Sequence, residues 1–483
     1  MGDHAITVVD SSSSSSSSEG EDEVMNYEET VEAMRSRLDE HSNEIRTSSR
    51  SSSSVCIYKV PASLAGIRPQ AIEPEMISIG PYHRGKDGLM ELESYKWRFL
   101  ASILSRERYK RGRDLLVEYY KAMRKLEERT RSCYSELMPM SSPDFVQMMV
   151  LDGCFIIELF RQRSTDEEDT ILKRPFFIQI LTRDLLKLQN QLPFFVLEKL
   201  FEISDFGTQH SLSLLALEFL NHSLPRPSEV LKRTSELTGA KHLLDLFRLS
   251  FLPPAPHDPP RNNPPPSKSI FQRRADALQR RCLPILLCLC TLATVILVND
   301  DRQSNLKYRP TAKSIQCTTQ LRLSWVKFRP RKNAESFLDV GYQKRVLRIP
   351  PITINELTTA IFINCMALEL CHPHTAPLFT AYIAFMRCLI NSNRDVQVLC
   401  AEGIIASFSQ NDHNVTELFT NLGEKVVLDI GDCYLSKQFK DVEAYYSSCR
   451  GTFLRTCFGE PWSIASFVYA LTLFAFTMVT AYG

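Results

Sequence analysis

The stretch DLLKLQNQLPFFVLEKLF, residues 184–201, decides how the rest of the chain is read. Ten of its eighteen residues are large and apolar. Leu185, Leu188 and Leu192 recur at helical spacing, and a dense wedge of Phe194, Phe195, Val196, Leu197, Leu200 and Phe201 follows. Pro193 stands between the two groups; it has no N–H to donate and it disfavours helix at Leu192. The pattern predicts two short buried helical pieces meeting at a bend. Asn190 and Gln191 precede the bend, where their amides can satisfy backbone groups that proline leaves free. This is the signature of a core, not of a reaction centre.

Working outward, apolar residues at helical spacing continue on both sides. Upstream, Leu89 to Leu137 is helical and heavily charged, with Trp97, Leu100, Leu104, Leu115 and Tyr119 as buried candidates, and Phe145 to Phe160 is apolar nearly all round, as a central helix would be. Downstream, Leu212 to Leu220 and Val230 to Leu249 extend the same pattern. Eight prolines within fourteen residues at 253–266 then form an extended linker. Beyond it, SFLDVGYQKRVLRIPPITI (336–354) alternates, is rich in β-branched residues and reads as a small hairpin with Gly341 at the turn. Helices are expected over 355–369, 376–392, 395–409, 415–428 and 436–458. The fold class is therefore mainly α: two helical lobes, the second carrying a small β-hairpin, plus a C-terminal transmembrane helix.

The division expected is a Ser-rich, acidic, disordered tail with one amphipathic helix (1–54), a first helical lobe (55–250), a Pro-rich linker with an atypical hydrophobic insertion (251–317), a second lobe (318–459) and a membrane anchor (460–483). In the tail, the low-complexity run Ser11 to Ser18 precedes Glu19, Glu21, Asp22 and Glu23, a solvated spacer or a target for an acidophilic kinase. Tyr27, Val31, Met34, Leu38 and Ile45 share one helical stripe.

Bulk composition excludes several classes. A net charge of +1 over 483 residues offers no field for nucleic acid. The basic run at 106–114 lacks the interleaved aromatics of a nucleic-acid surface. Fourteen cysteines, scattered and without a CxxC pair, read as buried free thiols in a reducing compartment, and no secretory signal opens the chain.

Two apolar segments bear on membranes. Ile464 to Tyr482 is nineteen residues without a charge, with Trp462, Tyr469 and Tyr482 placed to sit at interfaces and Arg450 and Arg455 upstream. It has the layout of a single-pass C-terminal anchor with cytosolic lobes. Cys282 to Val298 is seventeen uncharged residues, at the short end of what can span, with Pro284 near one end. It reads as a membrane segment, a buried helix or an insertion from translated intron sequence.

No H-E-x-x-H, G-x-S-x-G, G-x-G-x-x-G or P-loop pattern occurs. The loop SIGPYHRGK (78–86 from Ser78) is interrupted by Pro81 and reads as a turn rather than a phosphate site. Asp152 and Glu158, six apart on one helix, face different ways; Asp152 is expected to pair with Arg161 or another cation. Cys371, His372 and His374, with Cys365 and Cys388 nearby, match no structural zinc spacing. Asn221 and Asn414 lie in N-x-[ST] sequons, which matter only on a luminal face. No catalytic, cofactor or metal residue is expected. The competing class is a hydrolase-like enzyme built from dispersed residues such as His83, Asp152 and Cys154.

The central stretch resembles the DLLLLENQLPFFVLEKLF signature of the plant domain-of-unknown-function 247 family (uncharacterised protein family 0481), with Lys187 and Gln189 where Leu and Glu are usual. Five further blocks resemble it in the same order: IYKVPASL (57–64), ISIGPYHRGKDGLMELESYKWRFL (77–100), VQMMVLDGCFIIELFR (146–161), FLDVGYQKRVLRIPPITI (337–354) and EPWSIASFVYALTLF (460–474). The resemblance implies a plant source, a C-terminal hydrophobic helix and no segment corresponding to 282–298. Some members are implicated in self-incompatibility in grasses, so it also implies a recognition or signalling role with an unknown protein partner and no cofactor.

Overall fold

The computed structural model describes residues 30–38, 55–252 and 315–448, with gaps at 91, 112–113, 165–173, 205–210, 237–238, 373–374, 408–411, 427, 429–430 and 432. Beyond 448 it describes 451–452, 455, 466, 468–470, 472–474, 476–477 and 480. The acidic tail, most of the proline-rich linker and Cys282 to Val298 lie outside these residues.

Helix α1 (30–38) is the described part of the expected amphipathic helix; its stripe residues Met34 and Leu38 are exposed. The helical body then runs α2 (Ala62–Ala65), α3 (Glu93–Arg111), α4 (Leu115–Arg131), α5 (Ser142–Ser164), α6 (Pro175–Leu185), α7 (Phe194–Ser204), α8 (Leu212–Leu220), α9 (Ser228–Ser235) and α10 (Leu243–Leu249). Helix α5 is central, packed on α3, α4, α7 and α8. Apolar residues on every side of α5 explain this: Phe145, Met149, Ile156, Leu159 and Phe160 are all buried. Gly153 lets α7 come close, since a Cβ there would stand 2.3 Å from Leu200 Cδ1.

After the linker come α11 (Thr318–Leu323), strands β1 (Lys327–Pro330), β2 (Gly341–Gln343), β3 (Val346–Ile349) and β4 (Ile352–Ile354), and helices α12 (Glu356–Cys371), α13 (Leu378–Leu389) and α14 (Asn393–Ala401). Strand β5 (Ile405–Ser407) and helices α15 (Asp412–Gly423) and α16 (Ser436–Tyr446) follow. The hairpin is present as β2 and β3, antiparallel with Tyr342 opposite Leu347. Its turn is not at Gly341, which opens β2. Lys344 and Arg345 make it, both at positive φ (50° and 68°), the two-residue loop whose twist suits paired strands. There is more sheet than expected: β1 adds in parallel to β3, and β4 pairs in parallel with β5 in a separate two-stranded sheet, β5 falling where helix was expected to continue towards 409.

The buried apolar residues on both sides of the linker form one continuous cluster, from Cys56 to Val442. Helix α12 makes the join, packing on α6, on α10 and on the turn Pro69–Ala71. Phe251, at the end of the first part, is edge-on to Phe337 and Phe379 of the second. The amide of Asn364 rivets the same seam: Oδ1 accepts from Leu188 N at 2.8 Å, and Nδ2 donates to Ala71 O at 2.8 Å.

The expected C-terminal transmembrane helix is not among these elements. Among the described residues no helix is long and apolar enough to cross a membrane. Those between 464 and 482 are nevertheless helical, and their side chains are exposed.

Candidate functional site

A collection of buried ionisable groups surrounds the bend at 184–193. Helix α6 stops at Leu185 and α7 begins at Phe194, so the chain between them turns with its backbone groups unpaired by helix. Asn190 and Gln191 take up that demand. Asn190 Nδ2 donates to Ile77 O and Asp184 O at 3.0 Å each, and its Oδ1 accepts from Ile79 N at 2.7 Å. Gln191 Nε2 donates to Leu185 O and Lys187 O, and its Oε1 accepts from Leu244 N. The segment 75–80 is therefore laid against the bend by side chains.

Asp184 completes this. Its buried carboxylate accepts from Glu75 N, Met76 N and Ile77 N at 2.8–3.1 Å and pairs with Lys187 Nζ at 3.0 Å. Lys187 also donates to Glu73 O. Burial lowers the pKa of Lys187 and the Asp184 charge opposes that shift. A few residues on, Asp152 Oδ2 accepts from Gly80 N at 2.9 Å, and Lys96 Nζ lies 2.7 Å from Asp152 Oδ1. Lys96 also reaches Ser78 O and Glu93. Burial raises the pKa of Asp152, with Lys96 opposing. Gly80 has φ +73°, and a Cβ on it would stand 2.6 Å from Gln191 O.

The three residues of the enzyme reading are not joined. His83 is buried, but neither ring nitrogen has a hydrogen-bond partner among the described residues, so neither Asp152 nor Cys154 is bonded to it. Burial, aided by Lys86, takes its pKa down to about 4. Cys154 lies on α5 bonded to Tyr119, its thiol pKa raised by burial. The expected pairing of Asp152 with Arg161 does not form: Arg161 pairs with Glu158 at 2.8 Å, as does Arg106, while Lys96 is the cation at Asp152.

Among the described residues no three His, Cys, Asp or Glu side chains gather as metal ligands. His372 contacts Lys241 and lies edge-on to Tyr58, Cys365 is buried in α12, and His374 is outside the described residues. Of the sequons, Asn221 spends its amide on Arg226, accepting from its N–H at 2.9 Å and donating to its carbonyl at 3.1 Å; Asn414 is exposed on α15.

Two clefts lie elsewhere. One, of about 280 Å³, is lined by Val230, Ser250, Arg331, Glu335 and Asp339 between the two parts of the chain. The other, shallow and about 540 Å³, is lined by Asn391, Arg394, His413, Glu417 and Asn421. Neither contains a residue that sequence reasoning singled out as a nucleophile or acid.

Sequence reasoning missed Asp184, Lys96 and Glu369. Glu369 is buried in α12 and caps α13, accepting from Leu378 N, Phe379 N and Thr380 N. The available signal was a charge inside an apolar run, Asp184 with Lys187 three positions on, which places both on one side of a turn.

The sequence profile of DUF247, described as a plant protein of unknown function, matches residues 57–476. The "UPF0481 protein At3g47200" of Arabidopsis thaliana is 30% identical over 438 residues, covering 88% of this chain and 85% of its own length. The "Putative UPF0481 protein At3g02645" of the same plant is 24% identical over 505 residues, covering 93% and 92%. No solved structure matches the chain.

Proposed function

This chain belongs to the plant DUF247 family, and from that premise we propose that it is a non-catalytic recognition or signalling module tethered to a membrane by Ile464 to Tyr482. The observation that carries the tether is the exposure of the described apolar residues of that segment. Val468, Tyr469, Leu473, Phe474 and Phe476 are helical and 42–67% exposed. Apolar helical side chains that the body does not cover call for an apolar environment from outside it. Charge-free length and interfacial aromatics favour a bilayer, with the body on the side of Arg450 and Arg455.

The non-catalytic reading is supported by where the buried ionisable groups spend their bonds. Asp184, Asp152 and Glu369 accept from backbone N–H groups, and Glu158 is held by two arginines. Each has a structural task, and among the described residues His83 is hydrogen-bonded to neither Asp152 nor Cys154. The protein partner would meet the helical body at the membrane surface, with no nucleic acid and no cofactor. Alkaline carbonate washing of plant microsomes tests the tether: the full chain stays in the pellet, whereas release into the supernatant overturns it.

A further inference from the structure

Strand β1 lies beside β3 so that Arg329 stands opposite Arg348, with Lys327 two residues along on the same face. All three are exposed, while Phe328 and Leu347 fill the inner face. Like charges opposite one another weaken a strand pair, a cost that the pairing of Arg329 with Glu402 offsets only in part. The β2–β3 turn adds Lys344 and Arg345 in left-handed backbone, where Asn and Gly are the favoured residues. Trp325, two residues before β1, is the third non-glycine residue at positive φ (62°) among the described residues. The three such residues of the described chain thus all rim this one sheet, and strain collected in one place points to a task. Trp325 is 50% exposed. Of the arginines, Arg329 is paired with Glu402.

The same rim holds the approach to the C-terminal apolar segment. Arg455 Nη1 donates to Ser324 Oγ at 3.0 Å and to Tyr446 O at 2.7 Å, and Tyr445 Oη donates to Ser324 O at 2.7 Å. Ser324 is the residue before Trp325. Arg455, nine positions before Ile464, is thus held beside the basic sheet face and an amphipathic indole.

We propose that the outer face of the three-stranded sheet, Lys327, Lys344, Arg345 and Arg348 with Trp325 at its edge, lies against anionic phospholipid headgroups of the membrane that holds the C-terminal segment. The proposal rests on the tether reading. Cations beside an anionic leaflet are attracted to it, and each strengthens membrane association by roughly fivefold at low salt. An indole at headgroup depth adds an interfacial anchor. The face orients the helical body on the bilayer, so that a partner meets one defined side of it.

The test uses the full chain and the variant K327Q/K344N/R345G/R348Q, in which Asn and Gly suit the turn better than the residues they replace. Binding is measured to vesicles of phosphatidylcholine alone and to vesicles containing one-third phosphatidylserine. The expected result is equal binding of both proteins to neutral vesicles and at least a tenfold gain for the natural chain on anionic ones. That gain disappears in 0.5 M salt and in the variant. Equal gain for both proteins, or gain for neither, overturns the basic face while neutral-vesicle binding leaves the tether standing. Absence of binding to neutral vesicles overturns the tether reading instead. Binding of polyglutamate that the substitutions abolish, without any lipid dependence, overturns the proposal in favour of an acidic protein partner.

Discussion

Asp184 and Lys187 make an asymmetric pair, and the asymmetry can be measured. Among the described residues, Asp184 has three backbone N–H donors besides Lys187, whereas Lys187 has only Glu73 O besides Asp184. Asp184→Asn leaves the Lys187 ammonium buried without a counter-charge, which costs about 3–5 kcal/mol. With its oxygen kept on the Oδ2 side, it also turns an amide NH₂ toward Glu75 N and the Lys187 ammonium, for about 1 kcal/mol more. The total of about 4–6 kcal/mol is a large share of the ~5–15 kcal/mol that holds a domain folded. Lys187→Leu removes the cation but leaves the carboxylate bonded to three N–H groups. Its expected cost is smaller, about 1–2 kcal/mol, because three backbone N–H groups still stabilise the ionised carboxylate while the bond to Glu73 O is lost. The double variant should recover most of what Asp184→Asn loses. Guanidinium unfolding followed by circular dichroism reads all three. Equal costs for the two single variants, or no recovery in the double, would refute the view that the carboxylate's main partners are backbone amides.

Three further outcomes follow from the same structure. Burial takes the pKa values of His83 and His242 from 6.5 to about 4. The unfolded chain takes up these protons below 6.5 while the folded one resists until about 4, so stability is full above pH 6.5 and falls between 6.5 and 4, by about 3 kcal/mol per histidine. His242 accepts from Asp245 N and bonds Cys56 O, an arrangement that needs the neutral ring, so His242→Asn should flatten about half of that acid slope in melting experiments; an unchanged slope counts against it. Gly80→Ala forces a Cβ to within 2.6 Å of Gln191 O at a positive φ, and a loss of at least about 2 kcal/mol by thermal melting is expected. Asn364→Leu strips partners from Leu188 N and Ala71 O at the seam and should cost about 2–4 kcal/mol by urea titration, whereas a cost below 1 kcal/mol would show the seam does not depend on it.

Helical spacing carried most of the fold, because amphipathic and fully apolar helices leave a 3.6-residue trace that the core then enforces. The bend at Pro193 and the use of Asn190 and Gln191 on backbone groups were legible for the same reason: proline creates a local demand and amides meet it. What was illegible depended on partners far away in sequence. Lys96 sits 2.7 Å from Asp152, fifty-six positions on, and nothing local marks either as the other's partner. The parallel pairing of β1 with β3 and of β4 with β5 is likewise set by the packed body, since strands of three or four residues carry little period of their own. Gly341 was a reasonable turn candidate, yet the turn fell on Lys344 and Arg345, a choice that local propensity disfavours.

Tethering through Ile464 to Tyr482 is tested most directly by comparing the full chain with one ending before Trp462, in membrane partition and in protease digestion of intact vesicles. The described side chains of 466–480 are exposed rather than packed in the body, so their removal leaves the core intact. The expected result is that only the full chain pellets as an integral protein, with its helical body cleaved by protease added outside vesicles that expose their cytosolic face. If the shortened chain is equally integral, the C-terminal segment is not the anchor, Cys282 to Val298 takes that place, and the exposed sequon at Asn414 then belongs to a luminal half.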